Sequence, residues 1–179
     1  MIVFFSGGCK NGKSTLAQYT AKTLGGSGAL WYVATMIPHD EEDRARIRRH
    51  IAERDGWGFE TIEIGRQISE CLSFTGGKGA FLVDSVTALL SNEMFRPDGS
   101  FDPAAPERTA ADLLRFLDGA EHAVLVSDFI YADAGRYDQW TEAYRKGFAH
   151  VDRVLAKRSD TVVEVCSGNI ILHKGELPR

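Results

Sequence analysis

A chain of 179 residues with 44% hydrophobic and 26% charged side chains is long enough for a full core and reads as one ordinary globular domain. Its formal net charge of −4 argues against the basic face that nucleic-acid binding requires. No apolar run reaches the length of a membrane span, and an apolar strand at the very N-terminus leaves no room for a signal peptide. The three cysteines, Cys9, Cys71 and Cys166, are odd in number and far apart, which predicts reduced thiols in a cytoplasmic protein.

The first predicted element is a strand through Ile2-Val3-Phe4-Phe5. It leads into Gly7-Gly8-Cys9-Lys10-Asn11-Gly12-Lys13-Ser14, which fits G-x-x-x-x-G-K-[ST], and then into a helix over Thr15–Leu24. Glycines let such a loop curl until its N–H groups face phosphate oxygens, and the positive end of the helix adds to the attraction. In this motif Lys13 reaches the β- and γ-phosphates and Ser14 places its hydroxyl on Mg²⁺. Residues 7–15 therefore predict a nucleoside triphosphate site.

Further along, Leu30–Thr35 is a second buried strand, and Asp40–Arg54 is a helix with acids at its start and arginines near its end. Phe59–Ile64 alternates like an edge strand, and Arg66–Thr75 is expected to be helical. A third core strand, Ala80–Val83, ends at Asp84. Helices follow over Ser85–Phe95 and Glu107–Leu117, separated by a loop over Arg96–Pro106. Ala123–Ser127 is a fourth strand with a loop over Asp128–Gly135 behind it. Gln139–Lys157 is a long helix, and Thr161–Cys166 with Asn169–His173 predicts a closing hairpin around Ser167-Gly168. Strands alternating with helices predict an α/β fold, a mostly parallel sheet with helices on both faces and ligands at the strands' carboxyl ends.

Asp84, at the end of its strand, is placed to hold Mg²⁺, although Asp is also a favoured helix cap. His50 is the second candidate. Arg46 and Arg54 lie four residues either side of it, on the same helix face. Guanidinium groups there favour the neutral imidazole a nucleophile needs, and they could clamp phosphate in bidentate fashion. A solvated helix face is the plainer alternative.

Several stretches together resemble the bifunctional adenosylcobinamide kinase / adenosylcobinamide-phosphate guanylyltransferase family of cobalamin biosynthesis. They are GGCKNGKST at 7–15, YVAT at 32–35 with DEEDRARIRRH at 40–50, LVDSVTALLSNEMF at 82–95, AVLVS at 123–127 and GFAHVDRVLAKRSDTVVEV at 147–165. The resemblance implies a RecA-like P-loop domain that phosphorylates adenosylcobinamide with GTP or ATP and then attaches GMP from GTP. It implies that His50 carries the guanylyl group as a phosphoramidate. It also implies nucleotide contacts from Ala34, Thr35, Met36, Ile51, Ala52, Glu53, Arg54, Glu63 and Asp84, and assembly as a homotrimer. One stretch departs: Ser127-Asp128-Phe129-Ile130-Tyr131 stands where the family usually has Thr-Asn-Glu-Val-Gly. Two readings remain beside it, a P-loop kinase of another small hydroxylated metabolite and a GTP-binding regulator. The base for the acceptor hydroxyl is open between Asp84 and Asp128.

Overall fold

A computed structural model describes residues 1–131 and 135–178, with the side chain of Glu53 outside the description. In chain order the elements are β1 (Ile2–Gly7), α1 (Lys13–Gly25), β2 (Leu30–Ala34), α2 (Glu41–Glu53) and β3 (Glu60–Glu63). A 3₁₀ turn (Ile68–Glu70) and α3 (Cys71–Thr75) precede β4 (Ala80–Asp84), α4 (Val86–Met94), α5 (Ala105–Gly119) and β5 (His122–Val126). The chain closes with α6 (Gln139–Arg158), β6 (Thr161–Cys166) and β7 (Asn169–Lys174).

The strands form a single sheet in the order β3-β2-β4-β5-β1-β6-β7. All neighbours are parallel except β7, which runs back along β6 as the predicted hairpin. Side chains of the central strands alternate between two apolar layers, as the period of two along a strand requires. Ile2 and Phe4 of β1, Phe81 and Val83 of β4, and Ala123 and Leu125 of β5 enter the larger layer under α4, α5 and α6. Val3, Phe5, Leu82, Val124 and Val126 enter the smaller layer under α1, against Ala17 and Ala21. Both faces are covered, which is why these strands are apolar throughout and not alternating. Among the described residues no helix is long and apolar enough to cross a membrane.

Two predicted elements differ from the observed ones. The helix expected over Arg66–Thr75 is only the 3₁₀ turn and the five-residue α3. Gln67 adopts a left-handed conformation, and Arg66 Nε donates to the carbonyl of Asn92, so the chain is pinned to α4 before any helix can start. The loop expected through Pro106 ends earlier, because α5 begins at Ala105 with Pro106 in its first turn. A proline there loses no hydrogen bond, since the first helical N–H groups have no partner within the helix.

The strand order decides the site. β4, which ends in Asp84, is not the neighbour of β1; β5 lies between them. The register puts Ala34, Asp84 and Val126 level at the carboxyl edge. Whatever follows Val126 must therefore sit between the glycine-rich loop and Asp84.

Candidate active site

The loop after β1 is held by close backbone packing. Gly7 has φ +149°, and a Cβ there would lie 2.3 Å from the Val165 carbonyl oxygen, so no other residue fits. Asn11 Nδ2 donates to that same carbonyl, tying the loop to β6. Gly12 stands at the N-cap of α1 with φ +88°, a left-handed conformation that suits glycine. Among the described residues the only side chain that takes one of the first helical amides is Asn11, whose Oδ1 accepts from the Lys13 N–H at 3.3 Å. The first turn of α1 carries no acid either, so its amide end is left for an anion.

Lys13 is buried, 4% exposed, and its ammonium folds back into the loop. It donates to the Gly8 carbonyl at 2.6 Å and to Asn11 Oδ1 at 3.4 Å, and it pairs with Asp128 Oδ1 at 3.0 Å. Asp128 directly follows Ser127 at the end of β5, the place the strand order dictates. Its N–H donates to Thr87 Oγ1 at 3.0 Å, fixing it on α4.

Asp84 is the meeting point of three groups. Tyr32 donates its phenol proton to Asp84 Oδ2 at 2.9 Å, Ser14 lies close enough to the same carboxyl to favour its charged form, and His50 Nδ1 lies 3.9 Å from Oδ2. Burial raises the Asp84 carboxyl above the ordinary carboxylate range; His50, Tyr32 and Ser14 oppose that rise and Asp128 adds to it. Ser14 and Asp84 thus offer adjacent hard oxygen donors of the kind that hold Mg²⁺ beside substrate phosphates. The capping role open to Asp84 falls instead to Ser85, whose side chain accepts from Ala88 N.

Behind the cleft, Ser127 and Tyr131 donate hydroxyl protons to Asp152 on α6, at 2.7 and 3.1 Å. Burial pushes Asp152 up to about 7, against the pull of those two hydrogen bonds. This network anchors the start of the loop after β5. Of that predicted loop, residues 132–134 lie outside the described residues.

Two cavities adjoin at His50. The larger, about 810 Å³, is lined by residues 9–15, Met36, Arg46, Arg49, His50, Asp84 and Asp128. The smaller, about 300 Å³, is lined by Tyr32, Ala34, Met36, Arg44, Arg48, Ile51, Arg54, Glu63 and again His50 and Asp84. Arg46 lies on the phosphate-loop side, where it could clamp an anion. Arg54 caps the end of α2, its guanidinium 4.0 Å from the Tyr32 ring centroid and donating to Thr61 Oγ1, so it belongs to the smaller cavity. Arginine stacked on a tyrosine face makes a flat, charged wall suited to a planar ring.

The predicted residues are therefore largely gathered. Cys9 to Thr15, Ala34, Met36, His50, Ile51, Arg54, Glu63 and Asp84 face one cavity or the other. Thr35 does not: its side chain is fully buried, donating to the Ser85 carbonyl and accepting from the Ser85 N–H. Ala52 is exposed and lines neither cavity, and the side chain of Glu53 lies outside the described residues. Sequence reasoning did not find Tyr32, Arg44 or Arg48 as part of the site, nor the Lys13–Asp128 pair. An acid directly after a core strand was the signal for the last.

Residues 3–172 match the family model described as cobinamide kinase / cobinamide phosphate guanyltransferase, CobU. The chain belongs to this family. Over 105 residues it is 30% identical to the bifunctional adenosylcobalamin biosynthesis protein CobU of Escherichia coli K12, a stretch that covers 58% of this chain and 55% of that protein. Solved structures share the fold at low identity. The flagellar accessory protein FlaH of Methanocaldococcus jannaschii gives a TM-score of 0.52 at 12% identity over 98% of this chain and 78% of that one. A solved ATPase domain gives 0.55 at 11% over 97% and 76%. A protein of Pyrococcus horikoshii OT3 gives 0.54 at 12% over 97% and 86%. This CobU-family chain thus carries a RecA-like P-loop fold with a C-terminal antiparallel strand pair, as the sequence predicts.

Proposed function

We propose that the protein phosphorylates the aminopropanol hydroxyl of adenosylcobinamide with GTP or ATP, then attaches GMP to the product through a guanylyl group carried on His50. The observation that supports this most directly is the junction of the two cavities at His50 and Asp84. One cavity has the phosphate-binding loop, and the other has an arginine–tyrosine wall and Glu63 in its lining. A nucleotide spanning both would pass its phosphates across the imidazole.

In the first reaction Lys13 leaves Asp128 for the nucleotide phosphates. There, with the loop N–H groups and the open end of α1, it neutralises charge building on the transferred phosphoryl group. Ser14 and Asp84 would hold Mg²⁺, which when bound supplies further neutralisation at the phosphates. In the second reaction a ring nitrogen of His50 bonds to the α-phosphorus of GTP as the bond to the β-phosphate oxygen breaks and pyrophosphate leaves. A phosphate oxygen of the corrinoid then displaces His50. Splitting the transfer in this way is covalent catalysis.

Assembly as a homotrimer belongs to the same reading. The edge strand β7 offers a surface for it, with Ile170, Ile171 and Leu172 each 44–49% exposed. Light scattering of the purified protein tests that part.

The deciding experiment incubates the protein with Mg²⁺ and GTP labelled at the α-phosphate, beside His50→Ala. Acid-labile, alkali-stable label on the wild type alone is the expected result. Absence of label with GTP still bound overturns the transfer half.

A further inference from the structure

One wall of the larger cavity is α4. Thr87, Ala88 and Ser91 line it there, together with Tyr144 of α6, whose hydroxyl donates to the Thr87 carbonyl at 3.0 Å. Thr87, Ser91 and Phe95 are spaced four apart, so they follow one face of α4 away from the strand end that carries Asp84. Phe95 closes that helix, its N–H still bonded to the Ser91 carbonyl. From there the surface is aromatic. Tyr144 lies 5.8 Å from Phe95, Phe95 5.2 Å from Phe101, and Phe101 4.7 Å from Trp140 in the first turn of α6, centroid to centroid. A tight turn closed by the Arg96 N–H on the Ser100 carbonyl sets Phe95 beside Phe101, and Asp102, paired with Arg96 and Arg108, secures the turn. Phe95 and Trp140 are nevertheless 40% and 50% exposed. That leaves roughly 150–200 Å² of ring surface open, whereas one side of a stable protein interface covers about 800 Å². A second copy of the chain needs far more than this row, but one apolar face of a flat macrocycle does not.

Resting on the kinase half of the function above, we propose that Phe95, Phe101 and Trp140 form the corrinoid-binding surface. One face of the corrin ring lies on these aromatic side chains, and the arm that carries the acceptor hydroxyl runs back along α4 past Ser91 to the phosphate loop. From Phe95 to Thr87 is eight positions of helix, about 12 Å, which half the ring and its extended arm can span. The rings supply affinity, and the cavity wall at Thr87, Ser91 and Tyr144 aligns the arm.

The test uses equilibrium dialysis of adenosylcobinamide, followed by its own absorbance, and kinase kinetics with MgATP. It compares wild type, Phe95→Ala, Trp140→Ala and the two substitutions together. Phe74→Ala is the control, an equally apolar ring 76% exposed on α3, which leads into the start of β4 and not its carboxyl end. Each single substitution should weaken corrinoid binding about tenfold, a usual loss for one aromatic anchor, and raise the corrinoid KM with it. Affinity for a fluorescent ATP analogue should stay at the wild-type level, which a misfolded chain would not achieve. Trp140→Phe should recover most of the lost corrinoid affinity. Corrinoid binding by the double variant within about threefold of wild type overturns the proposal and leaves the kinase function standing. Loss of assembly by light scattering with corrinoid binding retained gives the row to a second copy and also overturns it. A wild type that binds adenosylcobinamide through this row without phosphorylating it supports the surface and overturns the kinase half. A wild type that does neither overturns both.

Discussion

Two helices of equal length, α1 and α2, bring functional groups to the same cleft by opposite means. α1 buries Lys13, Ala17, Gln18, Thr20 and Ala21, and its N-cap glycine supplies no side chain and its first turn no acid. α2 has no buried residue among its described side chains. Its N-terminus is closed by Asp40, which accepts from Asp43 N, and its first turn holds Glu41, Glu42 and Asp43. Its surface carries ion pairs along its own length, Glu41 with Arg44 and Arg48 at 2.9 and 2.8 Å among them. A helix seated on a core can leave its positive end for a ligand, because packing holds it in place. A helix without a buried face must neutralise that end itself, and it presents its last turn, with His50, instead.

The largest effect expected from this contrast is at Lys13. Lys13→Ala should lower phosphoryl transfer by roughly 10²–10³-fold, the usual loss for one group that stabilises charge in the transition state. Steady-state kinetics with saturating nucleotide checks it, and a loss below tenfold would mean that the loop amides suffice. The second prediction concerns α2. Amide hydrogen exchange should show α2 opening at a lower free energy than α1, since it buries no apolar face. Asp40→Ala should lower that free energy by a further ~1 kcal/mol, a roughly fivefold faster exchange at the start of α2. Equal protection in the two helices would break the comparison.

The smallest expected effect is of pH. Arg48, then Arg44, hold the Glu41 carboxyl below its ordinary value of 4.5. A group with a lowered folded-state pKa stabilises fully above the unfolded value and loses that contribution as pH falls through the folded one. Below pH 4.5, α2 should therefore loosen before α1, whose first turn has no acid to protonate. Amide exchange at about pH 6 and about pH 3, corrected for intrinsic rates, reads this directly.

The parts of the site legible in the sequence are those whose partners are close along the chain. The phosphate loop is one unbroken motif, and the polarity of α2 is written within one helix. Asp84 was legible because a strand end is a place with a known role. The Lys13–Asp128 pair spans 115 positions and depends on β5 lying between β1 and β4, an order that no local pattern encodes. Tyr32 was read as a core residue, and its ring is indeed buried; only the register of β2 with β4 shows its hydroxyl reaching Asp84. Arg54 lies one turn beyond His50 in sequence, but the helix ends there, so its side chain leaves for the ring of Tyr32. The short 3₁₀ turn at Ile68 was hidden for a similar reason, since what prevents a longer helix is a carbonyl on α4.

The single carboxylate of Asp84, with Ser14 beside it and His50 3.9 Å away, has a consequence in time. On the proposed function one acid attends two reactions, and it cannot give its full charge to both at one moment. The molecule then works by turns, finishing phosphorylation before His50 takes up its cargo. Excess GTP should slow the first reaction even when ATP drives it, because a guanylylated His50 sets a second anion beside the Asp84 carboxylate. Flux through such a protein peaks at an intermediate donor concentration and declines beyond it.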